Sequence, residues 1–186
     1  MKRFLIFGLA LVMGMSAGAQ ELSRKEQREL ERQLKKEQKA EEARQKAELV
    51  KLMVEYRRFV LEADQLRSKR GEVANVSSMI NFIACDSVNG VIQIGNNSYV
   101  GYNGVGGITV EGSISNYEYS QDEKSGSYDI TYNVKSSTGT YFVRMLVSPD
   151  GRADATVSST WPGRVNYVGY IMPPSLSKVY KGTSYY

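Results

Sequence analysis

Tyr128, Ile130, Tyr132 and Val134 alternate with Asp129, Thr131, Asn133 and Lys135. Successive side chains of an extended chain point to opposite faces, so this stretch is a strand with one dry and one wet side. Around it the same period recurs between turn signals. KSSTGT is followed by YFVRMLVS, apolar on both faces, and then by SPDGR, whose Pro-Asp-Gly suits a tight reversal. ADATVSS alternates small and polar residues, a Trp-Pro-Gly turn precedes RVNYVGYI, and DSVNG and GNNS punctuate shorter strands upstream. Turns spaced roughly eight to twelve residues apart predict an antiparallel meander. About eight strands fit, near 79–85, 90–94, 98–103, 107–120, 127–135, 140–147, 152–159 and 164–171. No helical pattern intervenes, which excludes parallel βαβ architecture, and a meander of this size must close into a barrel or fold into a sandwich to protect its edges.

A different material precedes it. Residues 20–70 hold 15 Lys or Arg against 11 Asp or Glu, whereas residues 71–186 hold 7 against 9. The first segment has no glycine or proline before its end, is rich in helix formers, and pairs Glu with Lys four residues on at Glu31/Lys35 and Glu42/Lys46. Apolar residues are sparse before Ala47, too few for a coiled coil. From there Leu49, Leu52, Met53, Tyr56, Phe59, Val60 and Ala63 recur at helical steps. The expectation is a charged helical spacer over residues 20–46 and an amphipathic helix over 47–70 that docks on a β domain of residues 71–186. The fold class is therefore α+β, mainly β: a long N-terminal helix, then an antiparallel meander of about eight strands closing into a barrel-like or sandwich domain. The excess of positive charge is spread through a mixed-charge segment rather than clustered, which argues against nucleic-acid binding.

The start of the chain, MKRFLIFGLALVMGMSAGA, has a cationic pair, a short apolar run and small residues ending in Ala17-Gly18-Ala19. This is the pattern of a signal peptide cleaved before Gln20, and it predicts a periplasmic or secreted protein with no stable membrane insertion after cleavage.

The chain contains no histidine and one cysteine, Cys85. Ser-His-Asp and Cys-His chemistry and imidazole-ligated zinc are thereby excluded, as is an intramolecular disulfide. Cys85 lies among apolar neighbours in NFIACDS and reads as a buried, inert thiol. No metal, cofactor or catalytic residue is expected. The glycine-rich GYNGVGGITVEG, residues 101–112, does not fit a nucleotide loop: after Gly104 and Gly106 the dinucleotide fingerprint requires glycine where Thr109 stands, and strand rather than helix follows. These glycines serve positive φ angles, a bulge or close strand approach.

NFIACDSVNGVIQIGNNSYVGYNGVGGITVEGSISNYE, GTYFVRMLVSPDGRADATVSS and the tail SKVYKG resemble a family of exported proteins from gut Bacteroidetes described as domain of unknown function 4251. The resemblance runs from about Phe59 to Gly182 and implies an all-β domain behind a signal peptide and a helix. It implies no activity.

All but one of the thirteen tyrosines, Tyr56, lie beyond Gly71. Most are structural, since the ring packs well on a sheet and the hydroxyl finds a partner. Tyr99, Tyr102 and Asn103 flank the glycine loop, and Tyr117 and Tyr119 share a strand face; together these five are the candidate ligand-binding residues. The favoured function is a non-enzymatic module that binds a small ligand or an envelope protein, and it predicts a concave tyrosine-lined pocket or an exposed apolar patch. A second is a glycan hydrolase using two of Asp86, Glu111, Glu118, Asp129, Asp150 and Asp154, with Glu111 and Glu118 the least easily explained otherwise. Their odd separation on one strand puts them on opposite faces unless a bulge intervenes. A third is an envelope assembly or inhibitor protein that acts through the charged helix.

Overall fold

The structure, a computed structural model, describes residues 24–96, 104–160 and 163–184. The expected signal peptide, the strand near 98–103 and the Trp-Pro of the expected Trp-Pro-Gly turn lie outside these residues. The chain divides into two compact units, Met1–Gln38 and Lys39–Tyr186. In the first, the described residues belong to the beginning of helix α1 (Arg24–Glu55), and every side chain from 25 to 38 is exposed. Among the described residues no helix is long and apolar enough to cross a membrane.

Among the described residues the second unit holds the remainder of α1 and nine strands: β1 (Arg58–Ser68), β2 (Val73–Asn75), β3 (Phe82–Asp86), β4 (Asn89–Ile94), β5 (Ile108–Gln121), β6 (Tyr128–Ser136), β7 (Gly139–Val147), β8 (Arg152–Ser159) and β9 (Arg164–Met172). All pairings are antiparallel. From β3 to β9 each strand pairs with the next, and β1 pairs with β3 on one edge and β9 on the other, so eight strands close into a barrel. The short β2 sits beside the far half of β1, on the same edge as β3. The meander and the barrel alternative of the expectation are thus both present.

One expectation needs correcting. The helix does not continue from 47 to 70: it ends at Glu55, and Arg58–Ser68 is β1. Arg57 takes φ 56° and terminates the helix, its amide reaching back to the Val54 carbonyl (3.2 Å). A left-handed residue is the usual way to stop a helix, but glycine normally marks it, and arginine leaves no such mark. Beyond it Phe59, Leu61 and Ala63 face the core with a period of two, not the helical spacing of Phe59, Val60 and Ala63. On the helix the side chains that enter the core are Val50, Met53 and Val54, whereas Leu49, Leu52 and Tyr56 are exposed.

The barrel interior is the core. Inward positions alternate along every long strand: Ile83 and Cys85 on β3, Ile130, Tyr132 and Val134 on β6, Val143, Met145 and Val147 on β7, Ala153, Ala155 and Val157 on β8. The end of α1 docks at one mouth. There the Tyr117 hydroxyl donates to the Val54 carbonyl (2.9 Å) and the Ser87 amide to the Arg57 carbonyl (2.8 Å). The SPDG reversal forms as expected: the Gly151 amide donates to the Ser148 carbonyl (2.9 Å), and Gly151 takes φ 88°.

After β9 a turn at 174–176, closed by the Leu176 amide on the Pro173 carbonyl (3.0 Å), leads into a tail that runs along the outside of the barrel to residue 184. The Ser177 hydroxyl and Lys178 amide donate to the Glu62 carboxylate (2.8 and 3.1 Å), and the Tyr180 amide to the Met79 carbonyl (2.7 Å). Lys181 and Ser184 both reach Glu111 (2.7 and 3.0 Å), and these donors hold its carboxyl below the usual carboxylate range, the Lys181 hydrogen bond foremost. Under the tail Gln93 is fully buried. Its Nε2 donates to the carbonyls of Ile80 (3.0 Å) and Tyr180 (2.9 Å), and its Oε1 accepts from the Gly182 amide (2.8 Å) and the Thr109 hydroxyl (2.9 Å).

Candidate functional site

The two mouths of the barrel are built differently. At the helix mouth, aromatic rings fill the lumen: Tyr117 stacks on Tyr132 with centroids 5.7 Å apart and lies 6.3 Å from Tyr119, which is 6.3 Å from Tyr128. The Arg57 guanidinium stands 4.9 Å over the Tyr117 ring, within cation–π range. Of the five candidate ligand-binding residues, Tyr99, Tyr102 and Asn103 lie outside the described residues. Tyr117 and Tyr119 are brought together, but Tyr117 is committed to the helix junction through its hydroxyl and both its neighbours, and burial raises that hydroxyl's pKa. Tyr119, 46% exposed, is at the edge of this cluster.

Deeper in the cluster the Tyr132 hydroxyl is fully buried and has no hydrogen-bond partner among the described residues. A buried orphan hydroxyl costs about 1–3 kcal/mol. Tyr132→Phe should therefore raise the stability of the protein by about 1 kcal/mol, whereas Tyr117→Phe, which strips the Val54 carbonyl of its donor, should lower it by a similar amount. Urea unfolding of the two variants checks the opposite signs. Cys85 is buried beside this cluster, its thiol donating to the Arg57 carbonyl (3.3 Å), and desolvation pushes it up to about 12. The burial expected of this thiol from the sequence is what the fold provides.

At the opposite mouth the described residues do not fill the lumen. A cavity of about 330 Å³ lies between Ile92, Ile94, Val110, Val157 and Val165, with Tyr141 at the side and the fully buried Tyr167 at its floor. The reason lies in β8. Its inward residues, Ala153, Ala155 and Val157, are short; Ala155 stands opposite Tyr167 in register and Val157 opposite Val165, so the wall recedes where the neighbouring strands carry bulk. Tyr167 itself is fixed by donating to the Gln93 carbonyl (3.3 Å). The polar groups in the lining come from the lip, Ser158, Ser159 and Arg164.

The carboxylates weighed for hydrolysis are placed elsewhere. A register shift between Ser115 and Glu118, with Asn116 at φ 53°, is the bulge that the odd spacing required, and it leaves both Glu111 and Glu118 on the outer wall. Seven residues of extended chain nevertheless separate them by roughly 20 Å, beyond the 5–9.5 Å that a glycosidase pair spans. Glu111 is held by the tail, Asp129 by a bidentate contact with Arg144 (3.2 and 2.7 Å), and Asp86 by Arg58 (3.0 Å).

The glycine-rich segment leads from β4 into β5 at the cavity mouth. Gly104 and Gly106 take φ of 76° and 72°, and a Cβ on Gly112 would stand 2.1 Å from the Lys135 carbonyl oxygen, so positive φ and close strand approach both occur. The sequence named neither the cavity nor Arg164. The signal it did carry was ADATVSS, a strand whose inward side chains are too small to fill a barrel.

The family model for the domain of unknown function DUF4251 matches residues 41–171. A crystal structure of a DUF4251 family protein from Bacteroides eggerthii DSM 20697 superposes with a TM-score of 0.63 at 26% identity, covering 76% of this chain and 97% of that one. No curated protein matches the chain.

Proposed function

Because the chain belongs to the DUF4251 family, whose description assigns no activity, we propose its function from the barrel itself: an exported, non-enzymatic module that binds one small, mainly apolar ligand in the mouth opposite α1. The observation that carries this is the apolar cavity of about 330 Å³ over Tyr167. Ligand pockets start near 300 Å³ and are apolar with a few placed polar groups, and a barrel of eight strands is just wide enough to hold one small guest. Each methylene buried there contributes about 0.8 kcal/mol. A non-enzymatic role is supported by the lining, which has aliphatic side chains, two phenols, lip hydroxyls and one guanidinium, with no carboxylate among the described residues. Export is supported by the first nineteen residues, and intact-mass spectrometry of periplasmic material should give a chain that begins at Gln20, with or without its cyclisation to pyroglutamate.

Displacement of an environment-sensitive apolar dye from the chain starting at Gln20 tests the cavity. Val157→Phe places a ring in the empty volume and should weaken dye binding about tenfold, since about two buried methylene equivalents are worth that factor. The circular dichroism of the variant should match that of the parent. Undiminished dye binding by a folded Val157→Phe protein would refute the proposal.

A further inference from the structure

Resting on that binding role, we infer that the ligand is an amphiphilic anion: a single apolar chain in the cavity with a negatively charged head held at the lip by Arg164. Arg164 is the one charged residue in the described lining. It opens β9, is exposed, and stands in register with Ser158 of β8 rather than with a carboxylate. It enters none of the ion pairs among the described residues, which use Arg58, Arg67, Arg144 and Lys181. Val157 and Val165 turn inward, so Arg164 and Ser158 stand on the outward side of the rim; there the guanidinium provides fork-shaped donors for an anionic head, while the chain enters the apolar pocket.

The surroundings of Arg164 have the same sign. β1 pairs with β9 so that Ser68 lies opposite Val165, which puts the turn that follows, with Lys69, Arg70 and Glu72, on the lip beside Arg164. Arg67, one step inward, already has Asp154 as a partner (3.8 Å). Lys135 is the last residue but one of β6 at this mouth, before the turn into β7. Glu72 is thus the one carboxylate in the described connections here, against Lys69 and Arg70 in the same turn; of the strand residues near this mouth, Arg164 and Lys135 are cationic and Glu111 of β5 is held by Lys181. The connections from 95 to 107 and from 160 to 163 contain no charged residue in their sequence. At the helix mouth the balance differs: the connections there carry Asp122, Glu123 and Asp150 against Arg57 and Lys124. An anion is drawn to the cavity end of the barrel, and a cation is repelled from it.

Three probes of equal chain length separate head from tail: decanoate, decanol and decyltrimethylammonium, each displacing the dye at low ionic strength. Decanoate should bind about fivefold more tightly than decanol, the range of an exposed ion pair, and the cationic probe more weakly than either. Added salt should shrink the decanoate preference. Arg164→Gln should bring decanoate to within about twofold of decanol, and Arg164→Glu should place it below; Lys69→Gln with Arg70→Gln should reduce the salt dependence. Equal binding of decanoate and decanol by the parent protein, or a preference that survives Arg164→Gln, overturns the head-group assignment while leaving the cavity occupied. Failure of all three probes to displace the dye overturns the binding role itself.

Discussion

Gln93→Leu is expected to cost about 3–5 kcal/mol of folding stability, the sum of several buried polar groups each losing a partner worth about 1–3 kcal/mol. Leucine is close to glutamine in volume, so the loss would not come from a cavity. It would come from the Ile80 and Tyr180 carbonyls and the Gly182 amide, which all use the Gln93 amide group in the native protein. Two of these three are in the tail. The same variant should therefore free residues 173–184 from the barrel wall, and trypsin should cut after Lys178 and Lys181 faster than in the parent. Chemical denaturation gives the energy and limited proteolysis the location. A tail that stays protected in a Gln93→Leu protein of parental stability would show that the strap is held by its other contacts, those of Glu62 and Glu111.

Gly169→Ala should be comparably damaging for a different reason. A Cβ on Gly169 would stand 1.9 Å from the Glu62 carbonyl oxygen and 2.8 Å from the Ala63 Cα. Both are backbone atoms of β1, so no side chain can swing aside; β1 and β9 must separate at the seam that closes the barrel, beside the bulge between Ala63 and Gln65. Overpacking a core costs about 1–3 kcal/mol where side chains can adjust, and here about 3 kcal/mol or more is expected. That corresponds to a fall of roughly 6–12 °C in the melting temperature of a domain this size. Gly163→Ala, whose Cβ would meet nothing, should leave the melting temperature unchanged and serves as the control.

The architecture was largely legible. Alternation from Tyr128 to Val134 and the SPDG and KSSTGT turns gave β6, β7 and β8 close to their true bounds, because strands with one buried face and hairpins with fixed turn chemistry are local properties. The stretch from Arg58 to Ser68 was not legible. Its Leu, Glu, Ala, Gln and Arg are good helix formers, and its two sheet neighbours, β3 and β9, are far away in sequence. Pairing on both edges outweighs a propensity of a few tenths of a kcal/mol per residue. Tyr117 was legible as an aromatic with a polar tip but not as the partner of the Val54 carbonyl, since a contact between residues so distant in sequence leaves no local trace.

The amino-acid sequence by itself determined the charged helix, the antiparallel meander, the absence of histidine chemistry and the glycine placements in residues 101–112, all of which follow from period, composition and backbone sterics. Tertiary structure alone decided that the sheet closes through β1, that Gln93 is a buried hub rather than an outward polar residue of a strand, and that Ala153, Ala155 and Val157 leave a cavity whose lip carries Arg164. The physical reason is common to all three: each depends on which surface is brought opposite, and a strand with the right alternation specifies which side chains turn inward but not what they will meet there.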